Sequence, residues 1–107
     1  MVLTLKPEGL YCPAADVYID PWRPVHRALI THAHADHARP GHGHYLATQL
    51  TAAVMRHRLG AIKCQTIEYG ESLSIGGATF SYHPAGHVPG SAQIRVEVEG
   101  EVWVVLR

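Results

Sequence analysis

Between Thr31 and His37 the chain reads Thr-His-Ala-His-Ala-Asp-His, so His32, His34, Asp36 and His37 place three imidazoles and one carboxylate within six positions. The preceding stretch, Val25–Ile30, reads as a strand that closes on the apolar run Ala28-Leu29-Ile30. Any fold of this chain must therefore carry a strand end to a rim where ligating side chains can be held on a rigid base. Zinc takes nitrogen and carboxylate ligands at about 2.0–2.2 Å, and related divalent ions accept the same set. The tract is neither terminal nor homopolymeric, unlike a purification tag or a loose metal-binding tail. Ala33 and Ala35 are small spacers, and strand alternation sends His32 and His34 the same way. Asp36 and His37 then lie beyond the strand end, free to turn toward a second position.

This cluster supplies too few ligands for two closed metal sites, so a partner is expected from elsewhere. The candidate is His87, in Tyr82-His83-Pro84-Ala85-Gly86-His87-Val88-Pro89-Gly90-Ser91, a Gly- and Pro-rich loop after the strand-like Ala78–Tyr82. Gly86 allows a close backbone approach or a positive φ just before it. Three imidazoles with one position left open are the catalytic pattern for zinc. The other histidines carry weaker signals. His42 and His44 read as exposed loop residues able to line the cleft, His57 as solvated on a helix, and His26 and His83 as strand-edge residues. His83 is also close enough in sequence to His87 to support it or touch substrate.

At 107 residues the chain is at most one small domain. Its 47% hydrophobic content is that of a water-exposed globular fold. No apolar run approaches the ~20 residues of a bilayer span, so no membrane association is expected. The start, Met1-Val2-Leu3-Thr4-Leu5-Lys6, lacks a secretory pattern, and a cytoplasmic location with Cys12 and Cys64 as free packed thiols is expected. Nine basic and nine acidic residues balance, which excludes a strongly basic nucleic-acid footprint across the whole chain. Locally, Arg39 stands where it could meet a substrate phosphate near the metals, whereas Arg56 and Arg58 read as solvated surface residues.

Short strands are expected at Val2–Leu5, Val17–Ile19, Ala28–Thr31, Tyr45–Ala47, Ile62–Ile67, Ser72–Ile75, Ala78–Tyr82, Gln93–Val98 and Val102–Leu106. Thr48 reads as the N-cap of a helix over Gln49–Leu59 that stops at Gly60, with Leu50, Ala53, Val54 and Leu59 as its apolar face. Gly76-Gly77 reads as a tight hairpin turn. Ile94, Val96 and Val98 alternate with Arg95, Glu97 and Glu99, the signature of a half-buried strand. Most strands are expected in one antiparallel or mixed sheet with a helix against it. The nearly continuous apolar run Val102–Leu106 is expected to be buried on both faces.

The pattern His32, His34, Asp36, His37 resembles the HxHxDH signature of the metallo-β-lactamase fold. Tyr11-Cys12-Pro13, Tyr18–Val25, Thr31–Gly43 and His83–Ala92 are, more narrowly, similar to bacterial DNA ligase-associated exonucleases, relatives of nucleases that process messenger-RNA 3′ ends and repair DNA. The resemblance implies an α/β (α+β) four-layer αββα sandwich, present here as its amino-terminal half, mainly β-sheet with one main helix. It implies two divalent ions, zinc or manganese: His32, His34 and His87 would hold one, Asp36 and His37 the other. Asp36 would also orient the nucleophile in catalysis, and Asp20 would support the metal loop from behind. The implied substrate is DNA, or RNA, with DNA ligase and helicase as functional partners.

The family strand matching Glu101–Val105 continues into a Ser-Gly-Asp turn whose aspartate bridges both ions, whereas this sequence has Leu106-Arg107. Residues 1–107 are therefore expected to be a partial domain, cut before that aspartate and a helical cap domain, with weak turnover of its own. Because the first motif is shared across the superfamily, a hydrolase of thioesters or lactams is the alternative enzyme, and a non-catalytic metal-binding remnant the alternative to an enzyme.

Overall fold

Alternating apolar positions build two sheets that face one another, as a computed structural model describing residues 1–107 shows. The first has six strands in spatial order: β1 (Thr4–Lys6), β2 (Gly9–Cys12), β3 (Val17–Ile19), β4 (Arg27–Leu29), β5 (His44–Ala47) and β6 (Cys64–Thr66). Its β1-β2-β3 part is antiparallel, and β3 through β6 run parallel. The second sheet is antiparallel, in the order β10 (Glu101–Val105), β9 (Ala92–Val98), β8 (Ala78–Pro84), β7 (Ser72–Ile75). One helix, α1 (Gln49–Leu59), crosses from β5 to β6.

The main core lies between the sheets, where Val17, Ile19, Leu29 and Leu46 meet Phe80, Tyr82, Ile94 and Val96. Each such side chain contributes about 1.5–3 kcal/mol when fully buried. A smaller core on the other face of the first sheet joins Ala28, Ile30, Tyr45 and Ala47 to Met55 of α1. The order is thus helix, sheet, sheet: the expected α/β half-sandwich, mainly strands with one helix.

Four expectations need correcting. There are two sheets rather than one, because β7–β10 pair only among themselves. Strand β2 was not expected; Leu10 and Cys12 line up with Ile19 and Val17 and complete a meander. The bounds of α1 are as expected but its apolar face is not. Thr51, Ala52 and Met55 are buried, whereas Leu50 and Val54 are 58% and 46% exposed. The cause is a polar contact at the start of α1: the Thr51 hydroxyl donates to the Gly90 carbonyl at 3.0 Å and fixes the rotation of the helix. Finally, β10 is not buried on both faces. It is an edge strand paired with β9 alone, and Val102, Val104 and Leu106 are exposed. No helix is long and apolar enough to cross a membrane.

Candidate metal centre

Parallel strands β4 and β5 deliver their carboxyl ends to one rim, where the motif loop follows Ile30 and α1 follows Ala47. Strand β8 runs to the same rim and opens into the loop containing His87. His32, His34 and His87 meet there, with one ligating nitrogen of each within 4.8 Å of the others. Their ring centroids are 4.9 Å apart for His32–His34, 4.9 Å for His32–His87 and 5.1 Å for His34–His87. Residues more than fifty positions apart in sequence thus form one group.

Thr31 is the hub beneath it. Its N–H donates to Asp20 Oδ1 at 2.8 Å and its hydroxyl to Asp20 Oδ2 at 2.5 Å. Its carbonyl accepts from the Ala92 N–H at 2.8 Å, which ties the first sheet to the second directly under the imidazoles. Asp20 is buried and takes a positive φ of 46°. Its Oδ2 also accepts from His37 Nδ1 at 2.9 Å, so the second nitrogen of His37, Nε2, is left on the open side, 3.4 Å from Asp36 Oδ2. Burial pushes the Asp20 carboxyl above the usual carboxylate range, opposed by the hydrogen bonds from Thr31 and His37.

The His87 loop is held just as firmly. Ser91 Oγ accepts from the N–H groups of His87 and Val88, both at 3.2 Å. Tyr69 donates its hydroxyl to the Ser91 carbonyl at 2.8 Å. The Gly90 carbonyl accepts from Thr48 Oγ1 at 2.6 Å as well as from Thr51. Thr48 therefore occupies the N-cap position without capping; its hydroxyl anchors the loop instead. Gly90 has φ of 85°, and a Cβ there would come within 2.8 Å of Leu50 Cβ, so only glycine fits.

The residues present suit a divalent cation. His32 is buried and its Nδ1 has no hydrogen-bond partner, an atom left for something other than protein. Burial, together with neighbouring His37, His34 and His87, lowers the His32 pKa from 6.5 to about 4, so the ring is neutral at pH 7. A neutral imidazole is the ligating form. An ion about 2.0–2.1 Å from each nitrogen is the usual arrangement for zinc on three histidines.

The other candidate residues are less completely assembled. Asp36 and His37 touch each other, and the His37 ring lies 4.0 Å from that of His32, but no third protein ligand joins the pair. Arg39 is exposed and its guanidinium has no partner; its carbonyl accepts from the Tyr45 hydroxyl at 2.7 Å. His42 is not an exposed loop residue. It is buried, accepts from the Val25 N–H through Nδ1 at 3.2 Å, and packs on Tyr45. His83 contacts Ser81 Oγ at 2.8 Å instead of supporting His87. Arg58 is likewise not simply solvated: it donates to the carbonyls of Ala33 and Ala38 at 2.7 and 3.0 Å and clasps the motif loop. Arg56 donates to the Cys64 carbonyl at 2.9 Å. Sequence reasoning missed Thr31, Arg58, Gly90 and Ser91 because each acts through hydrogen bonds to distant parts of the chain, most of them on backbone groups, that spacing does not reveal.

This architecture is the metallo-β-lactamase fold. A metallo-β-lactamase with an HARLDQ motif from Cronobacter sakazakii superposes with a TM-score of 0.74 at 16% identity, over 96% of this chain and 58% of that one. In sequence, the chain is 36% identical to a probable DNA ligase of Opitutus terrae, over 83% of its own length and 9% of the ligase. It is 32% identical to ribonuclease TTHA0252 of Thermus thermophilus, over 75% of its own length and 25% of that protein. The chain therefore spans a quarter or less of these curated relatives. No family model matches it.

Proposed function

We propose that this chain carries the histidine site of a metal-dependent phosphodiester hydrolase, a DNA exonuclease of the ligase-associated type working in DNA repair. The observation that carries the reading is the convergence of His32, His34 and His87 from two sheets upon one point. The likeness to a DNA ligase and to a ribonuclease supports a nucleic-acid substrate over the thioesters and lactams that the fold also accommodates.

His32, His34 and His87 would hold one zinc ion, and Asp36 with His37 a second. Bound there, divalent ions supply Lewis acidity and lower the pKa of water. The chain's own residues do the rest. His32 offers a lone pair at neutral pH because its surroundings disfavour the proton. Asp20 orients the His37 ring through Nδ1, which also selects the tautomer that leaves Nε2 free. Asp36, with its side chain 72% exposed, lies beside that nitrogen and would also orient the attacking water. Arg39, exposed at the end of the same loop, would meet a phosphate of the strand.

The test combines bound-metal analysis of the purified chain with cleavage of end-labelled single- and double-stranded DNA and of RNA. His32→Ala and His87→Ala should each lose both metal and cleavage. Cleavage that survives both substitutions comes from a contaminant and removes the catalytic assignment. Metal binding without cleavage keeps the centre and makes the chain a metal-binding module.

A further inference from the structure

A second concentration of chemistry lies at the opposite end of the parallel strands. Arg27 and His44 are paired in register at the first positions of β4 and β5. Lys63 directly precedes β6, where Tyr45 pairs with Cys64, so it extends the same row by one strand. Strand alternation puts these three on the face that, two residues further on, carries the core residues Leu29 and Leu46. They therefore point into the gap between the sheets.

That gap is a cavity of about 630 Å³ between β4–β6 and β7. Its basic side is Arg27, His44 and Lys63; its apolar side is Leu46, Leu73 and Ile75; no carboxylate lines it. Arg27 and Lys63 form no ion pair, and the acidic side chains that do pair lie elsewhere. Adjacent strands are about 4.8 Å apart, so Arg27 and Lys63, two strands apart with His44 between them, are close enough for both long side chains to reach one anion. Two unpaired cations on a wall without carboxylates suit an anion. The volume falls in the range of small-molecule sites, about 300–1,000 Å³.

We propose that this cavity binds a mononucleotide-sized phosphate ester, with the phosphate on Arg27 and Lys63 and the ring system against Leu73 and Ile75. Arginine and lysine are the natural phosphate partners. The aliphatic wall favours a flat, weakly hydrated ring over a polyol. The site is separate from the metal centre and does not depend on its assignment. The ligand is either a free nucleotide or the terminal nucleotide of a strand.

Amide chemical shifts of the isotope-labelled 107-residue chain would be followed while adenosine 5′-monophosphate is added. Saturable changes at residues 27, 44, 63, 73 and 75 are expected, and adenosine without phosphate should bind at least tenfold more weakly. Lys63→Gln, at an exposed position, and Arg27→Gln should each weaken binding about tenfold, whereas His32→Ala should leave it unchanged. A 5′-phosphorylated hexanucleotide shifting the same amides identifies a strand end as the source; binding of the mononucleotide alone identifies the free nucleotide. The proposal is overturned if adenosine binds as well as its phosphate, if inorganic phosphate binds as well as the nucleotide, if neither charge removal matters, or if the shifts centre on His32, His34 and His87.

Discussion

The two ends of the parallel strands are built on opposite plans. At the carboxyl ends the groups that carry the imidazoles are tied down: Asp20 by Thr31 and His37, the His87 loop by Ser91, Thr48 and Thr51, the motif loop by Arg58. At the amino ends Arg27 and Lys63 stand in a row with no carboxylate facing them. The first rim is anchored by hydrogen bonds to its own chain, the support that ligand geometry for a small cation requires. The second holds charge in reserve for a larger, softer anion. One sheet thus meets two binding problems by anchoring the loops at one end and leaving Arg27 and Lys63 without ion pairs at the other.

Substitutions at the two rims test that contrast, and the largest effect is expected at the imidazoles. His32→Ala should weaken zinc binding by about 100-fold or more, beyond the 10–100-fold typical when a supporting group is lost; competition with a zinc indicator measures it. Asp20→Ala should weaken zinc binding by about 10–100-fold. It should also destabilise the fold by about 1–3 kcal/mol in urea, because the Thr31 N–H and hydroxyl are left buried without a partner. Gly90→Ala should cost about 1–3 kcal/mol through the clash with Leu50 at a positive φ. Arg58→Ala should cost about 1 kcal/mol, with faster amide exchange confined to residues 33–38. Smallest of all, Arg27→Gln should leave stability unchanged within about 0.5 kcal/mol, since Arg27 forms no ion pair. A large loss there would erase the difference between the rims.

The pH dependence of the metal-free chain sharpens the same contrast. The folded pKa of His32 is lowered from 6.5 to about 4, so the unfolded chain takes up a proton more readily. The stabilising contribution is complete above pH 6.5 and is lost as the pH falls toward 4. Urea midpoints measured across that window should fall with pH in the wild type and stay flatter in His32→Ala.

Much of this was legible in the sequence, and the failures have physical causes. The 49–59 helix, the Gly76-Gly77 turn and the alternation of β9 follow local rules that neighbouring residues enforce. The meeting of His32, His34 and His87 was readable because ligand type and strand-end placement coincide. The buried face of α1 was not, because a threonine hydroxyl bonded to a distant carbonyl overrides a weak apolar pattern. His42 looked like a loop residue among glycines, yet the Val25 amide gives its ring a reason to be inside. β2 hid behind Gly9 and the Cys12-Pro13 step, where composition reads as turn rather than strand.

The His87 loop belongs to one sheet and the motif loop to the other, with Thr31 joining them beneath. A cation shared by those loops would therefore serve as a reversible cross-link between the two layers. Closing a long stretch of chain removes freedom from the unfolded state, and binding that requires the folded state stabilises it by mass action. Adding zinc should then slow amide exchange in β4 and β8 together, and a chelator should release both at once.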